Sequence, residues 1–233
     1  MKKDGNIEKV VKALEANNFS VQYLENAADA VPLILDMIPP DASIEMAGST
    51  SILQMGLLDT LRKRGNLNTE FPKPGEIPPR KDVLLVSTNA VTLDGKLVNL
   101  DGMGNRVTAM AYGTRKVILL VGINKIVRDV EEAMERVQKV IAPFHAKNLG
   151  LKNPCAKTGE CMDCDSPHRI CNVLTILKKK PPMMDFTILL VGEDLGLGWD
   201  PEWPKERIEK IQKTYQTEIR KFLAKLPPPP ENR

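Results

Sequence analysis

Asp82-Val-Leu-Leu-Val-Ser-Thr-Asn-Ala-Val-Thr-Leu-Asp-Gly-Lys-Leu-Val-Asn-Leu-Asp-Gly-Met-Gly-Asn-Arg106 decides the fold. Its first seven residues form a near-continuous apolar run of strand length, the pattern of a parallel strand covered on both faces. Such a strand belongs in the centre of a sheet. Leu93-Asp94-Gly95-Lys96 carries the Asp-Gly hairpin signal, and Leu97 to Leu100 reads as the return strand. Asp94 is read as the turn residue of that hairpin. Asp101 to Arg106 then leads into a helix through Val107, Met110 and Ala111.

Outward from this stretch, helical and strand periodicities alternate. Ile7, Val10, Val11 and Leu14 recur at helical spacing, and Phe19 to Leu24 reads as a strand after Asn17-Asn18. Ala27 to Ile38 reads as a second helix, with Pro32 taken as near its first turn. Ser43 to Ala47 is strand-like, and Gly48-Ser49-Thr50 opens a helix from about Ser51 to Arg64. Leu67 to Phe71 reads as extended, and Pro72 to Pro79 as a proline-rich loop. Downstream, Lys116 to Val121 is a buried strand. Ile126 to Ile141 is an amphipathic helix ended by Pro143, and Val173 to Leu177 and Asp185 to Val191 are further strands. A charged helix from Lys205 to about Leu226 precedes a four-proline tail, Pro227 to Pro230, expected to be disordered or extended. Trp199 and Trp203 lie just before that helix and are expected to anchor it on the domain.

Composition narrows the class. The chain has 233 residues and is 42% hydrophobic, enough for one large α/β domain or two small ones. Its 33 basic and 30 acidic residues nearly cancel, and aromatics make up only 4%, so neither charge nor stacking platforms favour nucleic acid. No segment approaches the roughly 20 apolar residues of a membrane span. The start, Met-Lys-Lys-Asp-Gly-Asn, gives way to amphipathic pattern rather than apolar run, so the chain reads as cytoplasmic.

All four cysteines fall between Asn153 and Asn172, as Cys155, Cys161, Cys164 and Cys171. In a reducing cytoplasm, clustered cysteines are ligands or working thiols before they are disulfides. The spacing C-x5-C-x2-C-x6-C contains one zinc-type knuckle, Cys161 and Cys164, whereas zinc sites commonly carry two. A compact run with one x2 gap is closer to ferredoxin spacing and favours an iron-sulfur cluster, a [4Fe-4S] set held by four thiolates. Zinc, and thiols without a metal, stay open. His168 reads as a surface residue of the loop.

Two further segments suit a small anionic ligand. Gly48-Ser49-Thr50 places a glycine and two hydroxyls at a helix start, where free N–H groups face anions, although helix capping explains the same residues. In Asp101-Gly102-Met103-Gly104-Asn105-Arg106 the glycines allow close backbone approach and Arg106 can clamp a phosphate or carboxylate; a tight turn is the competing reading. Thr88 and Asn89 end the Asp82 strand, on the edge where open α/β sheets bind ligands. His145 has no visible acid or nucleophile partner, and no nucleophile-base-acid set emerges, so enzymatic activity is left undecided.

Thr88 to Arg106, the Lys116 to Asn124 strand and the cysteine stretch together resemble the lactate-utilisation (LUD) domain family, over about residues 5 to 195. The resemblance implies the ribose-5-phosphate isomerase and CoA-transferase-like fold, a Rossmann-like sheet for phosphorylated or acyl ligands. It also implies a setting of L-lactate oxidation beside iron-sulfur partner proteins. Isomerases of that superfamily carry an acid after the matching strand, where this chain has Asn89. Ribose-5-phosphate isomerases place a lysine and glycines after the hairpin, where it has Asn99 and then Asp101-Gly-Met-Gly. Ribose-phosphate isomerisation is therefore not expected. Gly95, Val98 and Asn99 do match a ligand-facing turn shared with methylthioribose-phosphate isomerase.

The expected architecture is an α/β domain over residues 1–195, with a mostly parallel sheet, helices on both faces and the cysteine loop, residues 153–172, within it. Residues 196–233 form a C-terminal helical arm. The expected function is that of a cytoplasmic iron-sulfur protein binding a small anionic ligand and serving electron transfer or organic-acid oxidation with redox partner proteins. An enzyme on a phosphorylated or acyl-CoA substrate with structural zinc is one alternative. A non-catalytic assembly subunit is another, and an oligomer is compatible with the sequence.

Overall fold

Alternation of apolar side chains along five strands produces a sheet with two buried faces, seen in a computed structural model that describes residues 3–67 and 79–225. The elements run α1 (Lys3–Ala16), β1 (Ser20–Leu24), α2 (Ala27–Met37), β2 (Ile44–Glu45), α3 (Thr50–Leu53), α4 (Leu57–Lys63), β3 (Val83–Val86), β4 (Ala90–Thr92), β5 (Leu97–Asp101) and α5 (Asn105–Thr108). They continue with β6 (Lys116–Gly122), β7 (Ile126–Val127), α6 (Val130–Glu135), α7 (Ala142–Asn148), α8 (Pro154–Thr158), β8 (Val173–Leu177), β9 (Asp185–Val191) and α9 (Lys205–Leu223). The proline-rich loop, most of the extended segment expected before it and the four-proline tail lie outside the described residues.

The main sheet has the order β1-β9-β6-β3-β2, and every pairing in it is parallel. On one face Leu84, Val86, Val117, Leu119, Val121, Ile188 and Leu190 pack against Ile7, Val10 and Leu14 of α1. On the other Val83, Leu85, Ile118, Leu120, Leu189 and Val191 meet Ala30, Ile34 and Ile38 of α2, with Ile52, Leu57 and Leu61. Odd and even positions of one strand thus feed two cores, as the period of two requires. The central strand is β6, and β3 lies next to the two-residue edge strand β2. Apolar continuity marks coverage on both faces; it does not mark position in the sheet.

The remaining strands form a second sheet with the order β7-β4-β5-β8. Its β4–β5 hairpin is antiparallel as the Asp94-Gly95 signal predicts, and β5 pairs antiparallel with β8. Ile126 and Val127 form strand β7 beside β4 rather than the start of a helix. The following helix starts at Val130, capped by Asp129 accepting from Glu132 N, and runs on through a π-helical turn at Arg136–Ile141 into α7. Pro143 does not end it. A wide turn just before a proline accommodates its missing N–H and its ring.

The predicted helix from Ser51 to Arg64 is broken into α3 and α4 at Gly56, which has φ 65°. Pro32 lies inside α2, beyond its first turn. The hairpin turn docks on the end of α1. Asn17 Nδ2 donates to the carbonyls of Asp94 and Gly95, both at 2.9 Å. Asp94 takes Lys96 and Thr92 as partners and serves the turn.

Helix α9 lies against the rest of the protein through Ile211, Tyr215 and Ile219, which pack with Ile141, Leu197 and Trp199. Trp203 lies under the Arg207 guanidinium at 3.7 Å, with Arg136 on it at 5.5 Å. Both tryptophans therefore face inward contacts. His145 Nδ1 bonds the Tyr215 hydroxyl across this seam. Burial, and then the Arg106 guanidinium, hold the His145 imidazole down at about 4.

Gly95 sits at φ 78°, and a Cβ there would lie 2.6 Å from the backbone of Ala13. Gly95→Ala is expected to destabilise the protein by about 3 kcal/mol, combining left-handed strain with the clash, read from the urea midpoint. His145 stays neutral when folded but takes a proton near 6.5 when unfolded. Its contribution to stability is complete above pH 6.5 and is lost as pH falls toward 4. His145→Gln should flatten that part of the stability profile relative to wild type, measured by denaturant unfolding across the range.

Candidate functional site

The carboxyl ends of β2, β3, β6 and β9 converge on one side chain, Lys125, placed by the tight turn between β6 and β7. Lys125 is 4% exposed. Its Nζ donates to Ser51 Oγ at 2.9 Å, Ser87 Oγ at 2.7 Å and the Thr88 carbonyl at 2.9 Å. Three neutral acceptors satisfy the three donors of an ammonium, yet none supplies charge. Burial, and then the charge of Arg106, lower this amine from 10.5 to about 7. The neighbouring Asn124, fully buried, accepts from Leu195 N at 2.9 Å and donates to the Gly198 carbonyl at 3.0 Å. Residues 124 and 125 therefore tie the loop after β9 to the loops after β2 and β3.

The residues expected around an anionic ligand divide between two neighbouring places. Gly48, with φ 62°, Ser49 and Thr50 form the turn after β2. Ser49 makes no capping bond, and its hydroxyl is buried with no partner among the described residues. Only one turn of helix, α3, stands behind this segment, so any helix dipole there is short.

Thr88, Asn89, Asn99, Asp101 and Arg106 come together in one polar network. Thr88 Oγ1 lies 3.0 Å from Asn99 Oδ1, and Asn99 is fully buried. Asn89 Oδ1 accepts from Leu100 N at 2.9 Å and Arg106 Nη2 at 2.7 Å. Arg106 also pairs with Asp101, which in turn accepts from Val107 N at 3.1 Å. The guanidinium is thus held from inside, and only Nη1 donates to no group among the described residues. Gly102 presses its backbone on Ile170, with an added Cβ 3.1 Å from Ile170 Cα, while Gly104 takes φ 79° ahead of α5. Asn105 opens α5, and burial raises the pKa of the half-buried Glu45 carboxyl at the end of β2.

The cysteine segment follows α7. Pro154 starts the short helix α8, which carries Cys155 and ends at Gly159 with φ 82°. Arg169 organises the remainder, donating to the Cys164 carbonyl at 2.9 Å and to Asp163 at 2.7 Å, and Ser166 Oγ reaches Asn153 Oδ1 at 3.2 Å. Cys155, Cys161, Cys164 and Cys171 line a single pocket with Gln138, Pro143 and Ile170. All four thiols are free, and His168 is exposed. Burial, and then the charges of Cys164, Cys161 and Cys171, push the Cys155 thiol up. A soft metal relieves that mutual repulsion, so the donor set fits one chemically. Among the described residues no three such side chains are drawn to metal-binding geometry; the loop gathers the sulfurs without closing them.

The loop joins the Arg106 network directly. Asn172 N donates to the Asp101 carbonyl and Asn172 Nδ2 to the Gly102 carbonyl, both at 2.9 Å. Cys171 packs with Val98, Leu100 and Ala142. The sequence singles out the cysteines, the glycine turn and Asn89, but not Ser51, Ser87, Asn124 and Lys125, which the structure brings together at the strand ends. Lysine at a strand end reads as surface, and the sequence signal for Lys125 was only its place after an unbroken apolar run.

No helix among the described residues is long and apolar enough to cross a membrane. No curated protein matches the chain. Among solved structures, a DUF162 family protein from Deinococcus radiodurans is similar in fold, with a TM-score of 0.51 at 13% identity, covering 82% of this chain and 99% of that one. The LUD domain model matches residues 7–191, from α1 to the end of β9, and the chain therefore belongs to the LUD domain family.

Proposed function

We propose that this is an iron-sulfur protein of the LUD family, cytoplasmic, which binds a small anionic ligand at the carboxyl edge of its main sheet. It serves electron transfer or the oxidation of a lactate-type organic acid, with redox partner proteins. The observation that carries the reading is the convergence of all four cysteines of the chain on one pocket. Cys155, Cys161, Cys164 and Cys171 would hold the cluster, which supplies one-electron chemistry when bound. Arg169 holds Cys164 and Asp163 in place from within the loop. Arg106 takes the buried carboxylate of Asp101, whereas the buried Lys125 amine has only neutral partners, and a cation without a counter-charge supports an anionic ligand.

Protein purified without oxygen should be brown, absorb in the blue and bleach with dithionite. A colourless product containing stoichiometric zinc would replace this reading with a structural zinc site. Cys164→Ser should lose the colour while keeping the far-ultraviolet circular dichroism of wild type, and a full cluster in that variant would show the ligand set to be wrong.

A further inference from the structure

We infer that Lys125 is the anion-receiving group of the α/β domain, and that a ligand carboxylate or phosphate displaces one of the two hydroxyls bonded to its buried amine and supplies the counter-charge it lacks. The inference rests on the anionic-ligand part of the reading above and is independent of the cysteine chemistry.

A buried charge is normally paired, because removing it from water is costly. Lys125 has only neutral partners, two hydroxyls and a carbonyl, and the charge acting on it is another cation, Arg106. Asp101 is already committed to Arg106 and to Val107 N. A second observation points the same way: the Ser49 hydroxyl, two residues before Ser51, is more than nine-tenths buried and has no partner among the described residues. An unsatisfied buried hydroxyl in the same turn as Ser51, which bonds the amine, is a further group that an oxyanion can satisfy.

A groove of about 500 Å³, whose wall includes Gln54, Gly196 and Lys210 together with the carboxylates of Glu193, Asp194 and Glu218, opens at the end of β9. Gly196 is part of its wall and has φ 63°; a Cβ there would lie 2.4 Å from Ser51 Oγ and 3.5 Å from Lys125 Nζ. Gly196 thus stands between the groove and Ser51, the hydroxyl partner of the amine. In open α/β sheets ligands occupy this edge.

Binding of an anion favours the ammonium, so at pH above about 7 it should draw a proton into the site. The test is titration calorimetry of the full chain with inorganic phosphate and, separately, pyruvate, in buffers of different ionisation enthalpy. The two probes distinguish a phosphate from a carboxylate. Expected are net proton uptake at pH 8, weaker binding as pH rises, and loss of at least about tenfold in affinity in Lys125→Met. Should that variant not fold, proton uptake by wild type decides. Binding without uptake, or affinity retained in Lys125→Met, would overturn the assignment of Lys125 alone. Absence of any wild-type response to both probes would overturn the anionic-ligand reading together with it.

Discussion

The bonds made by Asn124 and Lys125 hold the strand ends of this protein in register. A parallel sheet leaves its carboxyl-end loops without hydrogen-bonded neighbours of their own, and here two adjacent side chains supply them. Asn124 fastens the loop after β9 through Leu195 and Gly198. Lys125 fastens the loops after β2 and β3 through Ser51, Ser87 and Thr88. Both side chains are almost without solvent contact, so each bond is made where a lost partner is expensive. The glycines nearby follow from this crowding: a Cβ on Gly122 would lie 2.5 Å from Asn124 Oδ1, and one on Gly198 would lie 3.0 Å from the Asn124 carbonyl.

The second sheet gives the site its other wall. Strand β5 carries Asn99 and Asp101 on a hairpin whose turn is pinned to α1, while β8 brings the cysteine segment alongside. Thr88 then joins the two sheets, its carbonyl accepting from Lys125 and its hydroxyl facing Asn99. Cation, amide and carboxylate side chains thus meet where Thr88 joins the two sheets.

Much of the fold was legible in the sequence because burial on both faces leaves an unbroken apolar signature, seen at Val83–Val86 and Lys116–Gly122. The Asp94-Gly95 hairpin was legible for a local reason, a turn that demands positive φ. What escaped were features decided by distant contacts. Ile126 and Val127 have equal claims to helix and strand, and pairing with β4 chose strand. Pro143 reads as a stop, yet the π-helical turn before it lets the helix pass. The cysteine cluster was visible because its members are close along the chain. The Lys125 site was not, because Ser51, Ser87, Lys125 and Gly196 come from four separate segments and share no spacing.

Both tryptophans of the chain, Trp199 and Trp203, belong to the segment that seats α9, one packed with Tyr215 and Phe144 and the other between two guanidinium groups. Intrinsic indole emission is consequently weighted toward the seat of that helix, whereas circular dichroism reports the strands and helices as a whole. A fluorescence transition and a circular dichroism transition in this protein measure different parts of it, and any gap between them reports the arm detaching before the sheet comes apart.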